Sequence, residues 1–430
     1  MKKKIWFTEG LSSQRDIILG VKSFAEKENH DIEIFSSHRN ERKEILSVSD
    51  FSMIEPNFVY QKTLSCGRIE VSSEETDYPL TDLFDIAERR NPKRAFLFVS
   101  KVLGRHIPVS PLVMRNVYTQ LADKFPGTLD GPVVFIGMAE TAVGLGAGVF
   151  DEVRKHHPDC VYLTSTRHPV DAELLCEFKE EHSHATDHLI YYPVSAAMRQ
   201  TVAEAQTLVL VDDEATTGKT FLNLLASLRA SGALRKVRRV IAVTLTDWSG
   251  EALSQNSPLP LHTVSLISGN WRWTPEPDAT LPVMPQVNVT SRGNIPITGK
   301  QSWGRLGMQI PASDLGLQVQ VSHGENILVL GTGEFVWEPF LLAERLEAAG
   351  AQVVFSSTTR SPISTGYAIQ SAIAFSDNYG LGIPNYVYNV AHQQFDRILI
   401  CCETPASSVD PRLLEALSAV APTVEVITYE

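Results

Sequence analysis

The chain has 430 residues and a formal net charge of -12. This length is enough for two or three domains, and the negative charge argues against general binding to nucleic acids or to anionic membrane surfaces. The five cysteines form no Cys-x-x-Cys pair, and no stretch is apolar enough for a signal peptide or a membrane span. We therefore expect a reduced, cytoplasmic protein without a disulfide framework or structural zinc.

Residues 1–56 predict a small β-α-β module. The segments "KIWF" and "DIEIFSS" are strand-like, and Ile17, Ile18, Val21 and Phe24 between them have helical spacing. The module faintly resembles the leading domain of ATP-grasp ligases. A ligase is therefore one function class to consider, but no ATP-grasp core is evident in the rest of the chain.

From residue 57 the pattern predicts a larger α/β domain that ends near residue 268. Short apolar segments such as "PVVFIGM", "VYLTSTR", "LVLV" and "RRVIAVTLTDW" alternate with helices, which indicates a parallel sheet covered on both faces. Residues 269–307 are rich in Pro, Gly and Thr and predict a linker, in which Trp271 and Trp273 pack on something. Residues 308–430 predict a second α/β domain, which opens with "NILVLGTGEF".

The segment "LVLVDDEATTGKTFLNLL" from Leu208 to Leu225 carries the clearest chemistry. An apolar strand leads to Asp212 and Asp213, and a glycine-bearing loop then starts a helix. The first N–H groups of a helix bind phosphate, and paired carboxylates accept hydrogen bonds from a diol. Together they describe a site for ribose 5-phosphate. The predicted phosphate-binding residues are Ala215, Thr216, Thr217, Gly218, Lys219 and Thr220.

Two other interpretations of this segment are a Walker loop and a helix cap. A Walker loop requires a glycine five residues before Gly218, and that position is Asp213, so this interpretation fails. The carboxylates could instead only cap the following helix.

The string "VLVDDEATTGKT" resembles the PRPP-binding motif of type I phosphoribosyltransferases, although Glu214 stands where an apolar residue is commonest. The stretches "FLFVSKVLGRHIPVSP" and "YLTSTRHP" are similar to a bacterial family found with tellurite-resistance and stress operons. A domain named for the motif Thr-Arg-Ser-Pro usually follows it, and this motif stands at residues 359–362. The resemblance implies a Rossmann-like parallel sheet.

The resemblance extends to other parts of the site, each with a structural alternative. By resemblance, a tight loop after the first core strand holds pyrophosphate, and its residues are Gly137, Met138, Ala139 and Glu140. The alternative is that this loop is an ordinary turn between a strand and a helix. Arg167 could bind pyrophosphate in a bidentate manner or form a surface ion pair. The base-binding candidates are Lys101, Arg105, Asp247 and Trp248, of which Trp248 could equally pack in the core.

Residues 168–188 have mixed charge and predict a solvated loop rather than a metal site, although they contain His182, His184 and His188. By resemblance, this stretch is the hood that closes over PRPP, and it contains Lys179 as a candidate catalytic residue. We expect PRPP and Mg²⁺ to protect it from proteolysis.

The function implied is transfer of the 5-phosphoribosyl group from PRPP to a nitrogenous base, or the reverse, in a stress-operon pathway that makes a nucleoside-like product. Mg²⁺ would be the cofactor, held indirectly by Asp212 and Asp213 through the hydroxyls of PRPP. The alternative is a sensor that binds PRPP or a nucleotide without turnover. Neither nucleic acid nor a membrane is an expected partner, and family members often pair.

The chain also predicts an internal duplication. "VFIGMAETAV" and "LVLGTGEFVW" both run from a strand through Gly-x-x-Glu into a helix, and each is followed at a similar spacing by Thr-Arg-x-Pro. Aligning "LVDDEATTGKT" with "LICCETPASSV" places Cys401 and Cys402 at the positions of Asp212 and Asp213. We therefore expect a degenerate second domain that packs on the first as an intrachain pseudo-dimer. Glu334 and residues 359–362 could still line a pocket for a phosphorylated or nucleotide-like ligand.

Overall fold

The computed structural model describes residues 3–7, 32–36, 59–74, 76, 78–89, 94–179, 187–280, 291–297 and 304–429. The chain divides into two compact units, Met1–Val59 and Tyr60–Glu430. In the first unit, strands β1 (Lys3–Phe7) and β2 (Ile32–Ser36) pair in parallel, as a β-α-β module requires. The predicted helix between them lies outside the described residues.

The second unit contains all the remaining elements. Its strands are β3 (Tyr60–Leu64), β4 (Gly67–Ser73), β5 (Phe84–Glu88), β6 (Phe96–Ser100), β7 (Val133–Gly137), β8 (Cys160–Thr164), β9 (Leu174–Lys179), β10 (Asp187–Tyr191), β11 (Thr207–Val211), β12 (Glu214–Ala215), β13 (Arg239–Asp247), β14 (Leu261–Pro275), β15 (Asn326–Gly331), β16 (Gln352–Ser357), β17 (Ala372–Ser376), β18 (Pro384–Tyr388), β19 (Arg397–Cys401) and β20 (Thr423–Ile427). Its α-helices are α1 (Leu80–Leu83), α2 (Pro111–Asp123), α3 (Val143–Val153), α4 (Ala196–Glu204), α5 (Lys219–Ser231), α6 (Ala252–Asn256), α7 (Trp337–Ala348) and α8 (Pro411–Ser418).

The larger sheet has the order β3-β4-β14-β13-β11-β7-β8, with β12 beside β13. From β14 to β8 the neighbouring strands are parallel, and counted along the chain from β7 their order is 2-1-3-4-5. Every residue of β7, β8 and β11 is buried, because the sheet is covered on both faces. In this order the crevice for a ligand opens beyond the carboxyl ends of β7 and β11.

The predicted linker of residues 269–307 begins as a strand instead. The last part of β14, from Gly269 to Pro275, pairs antiparallel with β4. The rings of Trp271 and Trp273 lie 5.0 and 4.9 Å from the ring of Phe96. Alternate residues of a strand share one face, so both tryptophans pack against Phe96. The surrounding Pro, Gly and Thr residues obscured this alternation.

The second α/β domain has a smaller parallel sheet with the order β16-β15-β19-β20. Counted along the chain this order is 2-1-3-4, the same as the first four core strands of the larger sheet. In each domain an antiparallel hairpin follows the second core strand: β9 and β10 in the first, β17 and β18 in the second. Helices α3 and α7 contact each other between the two sheets.

No helix among the described residues is both long and apolar enough to cross a lipid bilayer.

Candidate active site

Asp212 and Asp213 lie directly after β11, at the carboxyl edge of the larger sheet. The backbone N–H of Asp212 donates to the carbonyl of Val243, 3.0 Å away, and the carbonyl of Asp213 accepts from Leu245 at 3.0 Å. The Asp213 N–H donates to Oδ1 of Asp212 at 2.9 Å. Strand β13 therefore fixes the backbone of both acids, so that this acid pair stands beside the crevice rather than inside the sheet.

The environment of Asp213 raises the pKa of its carboxyl. Burial raises the pKa of its carboxyl, and the charge of Glu214 adds to this; a hydrogen bond with Asp212 and the charge of Arg105 act in the opposite direction. The net result is a pKa of about 6. Two acids that share one site commonly have one such raised value.

Affinity for PRPP, the ligand that the sequence resemblance implies, is therefore expected to fall as the pH is lowered through about 6, because protonated Asp213 no longer offers an anionic acceptor to the diol. Calorimetric titration between about pH 5 and pH 8 would measure the change. Phosphate groups of the ligand also take up protons near pH 6, so Asp213→Asn is the control that retains only this contribution. Parallel pH profiles for the two chains would contradict the assignment.

The predicted phosphate loop, residues 215–220, runs from the acid pair into α5. Gly218 adopts a left-handed conformation with φ of 73° at the start of the helix, and a Cβ there would lie 2.9 Å from Cβ of Leu253. The position thus requires glycine. The carbonyl of Ala215 accepts from the N–H of Trp248 at 2.7 Å. The first turn of α5 has donors without intrahelical partners, which suits a phosphate group.

Arg94 is a residue at this loop that the sequence did not indicate. Its guanidinium lies 2.8 Å from Oε1 of Glu214 and donates to the hydroxyl of Thr216 at 3.2 Å. The Thr216 hydroxyl in turn donates to Glu214 at 3.0 Å, and the guanidinium sits 4.8 Å from the ring centre of Phe96. Glu214, which departs from the commonest motif, thus has a basic partner that connects the predicted phosphate loop to an aromatic cluster. The members of this aromatic cluster are Phe84, Phe96, Phe98, Trp248, Trp271 and Trp273.

The predicted pyrophosphate loop, residues 137–141, lies next to the acid pair because β7 and β11 are neighbours. Gly137 is paired with Val211 across the two strands, and Met138 N–H donates to the carbonyl of Val211 at 3.0 Å. A Cβ at Gly137 would lie 2.4 Å from the hydroxyl of Tyr162, so this turn also requires glycine. The Ala139–Glu140 peptide bond is cis.

Arg167 follows β8 on the other side of the pyrophosphate loop. Its backbone N–H donates to Oε1 of Glu334 at 2.8 Å, and the hydroxyl of Thr166 donates to Oε2 of the same glutamate at 2.6 Å. Thr166 also exchanges backbone hydrogen bonds with Leu189 in β10. A glutamate of the second α/β domain therefore holds the turn that carries the predicted pyrophosphate arginine, a contact that the sequence did not reveal.

The predicted hood contains two strands rather than an irregular loop throughout. Strands β9 and β10 pair antiparallel, with Lys179 opposite Asp187. Side chains of these two residues, and residues 180–186, lie outside the described part of the chain. His188 stacks on Phe178, and its Nδ1 lies 3.0 Å from the hydroxyl of Ser165. The charged residues of the stretch hid the alternation of its strands.

The basic base-binding candidates lie as follows. Lys101 donates through Nζ to the carbonyl of Thr81 at 2.7 Å. Arg105 is buried, and its guanidinium donates to the carbonyls of Glu140, Gly333 and Thr358 at 2.7, 2.8 and 2.7 Å. Arg105 thus joins the pyrophosphate loop to the second domain, while its charge acts on Asp213.

The other two base-binding candidates lie at the end of β13. Asp247 is buried and accepts from the N–H and hydroxyl of Ser249 at 2.9 and 2.6 Å. The ring of Trp248 is buried in the aromatic cluster, stacked on Phe98 at 5.1 Å and edge-on to Phe84 at 6.2 Å. The role of these residues toward a base stays a prediction.

Comparison with known protein families identifies two segments of the chain. Residues 83–270 match the family described as phosphoribosyl transferase, and residues 303–417 match the TRSP domain that lies C-terminal to it. The chain belongs to this phosphoribosyltransferase family with a C-terminal TRSP domain. Both matched segments lie in the second compact unit. No curated protein was found to match the chain.

Solved structures of adenine phosphoribosyltransferases are similar to part of this chain. The enzyme from Rhodothermus marinus is 17% identical, with 43% of this chain and 94% of that chain covered and a TM-score of 0.29. The enzyme from Thermoanaerobacter pseudethanolicus is 16% identical, with 43% and 95% covered and a TM-score of 0.30. The Trypanosoma brucei enzyme, in complex with AMP, pyrophosphate and ribose-5-phosphate, is 13% identical, with 45% and 82% covered and a TM-score of 0.30.

Proposed function

We propose that the chain transfers the 5-phosphoribosyl group between PRPP and a nitrogenous base, with pyrophosphate as the other product or substrate. The observation that carries the proposal is the meeting of three parts at one sheet edge. The acid pair, the phosphate loop and the pyrophosphate loop lie at the carboxyl ends of β11 and β7, which are hydrogen-bonded neighbours. PRPP presents a diol, a phosphate and a pyrophosphate in a matching arrangement.

In this proposal the protein positions the reactants and stabilises charge, without a protein nucleophile. The transition state resembles an oxocarbenium ion, so positive charge develops on the ribose ring. Asp212 and Asp213 would hold the diol and favour that charge. The phosphate loop would anchor the 5-phosphate, and Arg167 would bind the departing pyrophosphate. Lys179 in the hood remains the candidate for a further catalytic contact.

The residues present suit Mg²⁺ that is bound mainly through the substrate. Within the described residues, no three His, Cys, Asp or Glu side chains are grouped so as to hold a metal ion. Mg²⁺ usually takes one or two carboxylates together with substrate phosphates and water. Asp212 and Asp213 would contribute indirectly, by holding the ribose hydroxyls, and the bound ion would neutralise pyrophosphate charge.

Release of pyrophosphate from PRPP, measured with Mg²⁺ and a panel of purine, pyrimidine and other heterocyclic bases, tests the proposed function. We expect at least one base to give turnover that stops when Mg²⁺ is chelated. Binding of PRPP without turnover across the panel would favour the alternative, a PRPP or nucleotide sensor. Failure to bind PRPP at all would exclude the transferase and a PRPP sensor, and would leave only a nucleotide sensor.

A further inference from the structure

The core strands of the two α/β domains have matching register as well as matching order. In the first, Gly137 lies opposite Thr164 on one side and Val211 on the other. In the second, Gly331 lies opposite Ser357, and the adjacent pair of Leu330 with Ile400 places Cys401 beside Gly331. We define β7 to β13 as the first copy and β15 to β20 as the second copy.

The loops of the two copies also make matching hydrogen bonds. Ala139 N–H donates to the hydroxyl of Ser165, and Gly333 N–H donates to the hydroxyl of Thr358, both at 2.9 Å. Thr166 exchanges two backbone hydrogen bonds with Leu189 of the hairpin in its copy. Thr359 exchanges the same two bonds with Tyr386 of the hairpin in the second copy. This correspondence holds residue by residue, and so it is more specific than the alternation of strands and helices that all α/β units share.

Contacts between the copies are reciprocal, as at a two-fold interface. Thr359 donates through its hydroxyl to Glu140 at 3.4 Å, and Thr166 donates through its hydroxyl to Glu334 at 2.6 Å. Glu140 and Glu334 occupy equivalent positions, three residues after Gly137 and Gly331. Each copy therefore supports the Thr-Arg turn of the other.

The segments that precede the two copies are exchanged. Val109 pairs through its backbone with Phe355 in β16, the edge strand of the second copy. Met308 pairs in the same way with Tyr162 in β8, the edge strand of the first copy. Each segment begins with Gly-Arg, at residues 104–105 and 304–305. The edges formed by β8 and β16 are thus each paired with a segment that precedes the other copy.

The backbone register changes the sequence alignment of the acid pair by one residue. Asp212 N–H donates to Val243, the residue opposite Val211, and Cys402 N–H donates to Ile427, the residue opposite Cys401. Cys402 is therefore the equivalent of Asp212. By the same count Glu403 is the equivalent of Asp213, so the second copy retains one acid where the sequence alignment predicted two cysteines.

Arg305 occupies the site of the second copy. Its guanidinium forms a bidentate contact with Glu403 at 2.7 and 2.8 Å and lies 3.0 Å from Glu334. The hydroxyl of Tyr379 donates to Glu403 at 2.6 Å. All four side chains are buried. Glu403, at the position that would accept a ribose hydroxyl, and Glu334, in the loop equivalent to the predicted pyrophosphate loop, therefore both contact a cation of the chain itself.

We propose that the chain is an internal pseudo-dimer in which Arg305 blocks the site of the second copy. The second copy then supports the site of the first copy through Glu334. Glu334 is a positioning residue: its two oxygens accept from Thr166 and from the Arg167 N–H, and so fix the turn that presents Arg167 to pyrophosphate. This inference rests on the proposed function of the first site. It assigns to the TRSP domain the role that a second subunit has in a dimer.

The test is calorimetric and kinetic titration of the full chain with PRPP and Mg²⁺. We expect one PRPP per chain. Glu334→Gln should weaken PRPP binding and raise its KM by about tenfold, with kcat at saturating PRPP little changed, since the charged acceptor is lost but the acid pair is intact. Thr166→Val, which removes the donor on the first copy, should act in the same direction.

Glu338→Gln is the matched control. Glu338 lines the same small cavity of about 20 Å³ as Glu334 and Arg305. Burial raises the pKa of its carboxyl well above the usual range, whereas the pKa of Glu334 is lowered, so the change to glutamine removes less charge here than at Glu334. Its affinity for PRPP should equal that of the unaltered chain. An equal loss in Glu338→Gln would show that disturbance of the cavity, not positioning, weakens binding.

Two PRPP per chain, or unaltered affinity in both Glu334→Gln and Thr166→Val, would overturn the inference while leaving the proposed function in place. An unaltered chain that neither binds nor converts PRPP would overturn both. Thermal unfolding of each variant establishes that the folded protein is being titrated.

Discussion

The chain with both Asp212→Asn and Asp213→Asn is expected to lose PRPP turnover by roughly 10³-fold or more, because it loses charge stabilisation that acts on the developing oxocarbenium ion. The amides could still accept hydrogen bonds from the diol, but they lack the negative charges of the two carboxylates. Pyrophosphate release under saturating PRPP measures the loss. Retention of turnover in the double variant would exclude this site as the reaction centre.

The same double variant should remain folded, and its unfolding temperature near pH 8 should be no lower than that of the unaltered chain. The folded-state pKa of Asp213 is raised to about 6, so its ionisation weakens folding as the pH rises from the unfolded pKa of about 4. Asparagine removes this effect. Asp123→Asn with Asp159→Asn, two exposed positions, removes the same formal charge and should leave turnover unchanged.

Arg305→Met is expected to lower the free energy of unfolding by about 3–5 kcal/mol, because removing one member of a buried ion pair leaves the other charges without compensation. Burial alone would raise the pKa of Glu334, but His168, Arg305 and hydrogen bonds from Thr166 and Arg167 lower it to about 2. Arg305 similarly lowers the pKa of Glu403, against the effect of burial. Urea unfolding of the full chain measures the change.

Two further variants test the cause of this expected loss of stability. Arg292→Met removes an exposed ion pair with Asp171, and no measurable change in stability is expected. Arg305→Met combined with Glu334→Gln and Glu403→Gln removes all three charges, and most of the lost stability should return. A triple variant as unstable as Arg305→Met would indicate that packing of the arginine side chain, not charge, holds the two copies together.

The acid pair and the phosphate loop could be predicted from the sequence because they are contiguous. A strand, two carboxylates, a glycine turn and a helix follow one another within residues 208–225, and each has a local signal in residue type and spacing. The parallel sheet was equally accessible, because strands buried on both faces are continuous apolar runs. The strand at 269–275 was missed because its alternation is only a few residues long and lies among Pro, Gly and Thr.

Contacts between residues that are far apart in the chain could be identified only from the tertiary structure. Arg94 contacts Glu214, Glu334 contacts Thr166, and Arg305 contacts Glu403; in each case the partners meet only after the sheets have formed and packed. The sequence alone predicts the proposed repeat, yet its alignment at the acid pair differs by one residue from the strand register, since apolar strands of similar composition align almost equally well in neighbouring registers. Backbone hydrogen bonds between strands permit one register, and that register places Glu403, not Cys402, at the position of Asp213.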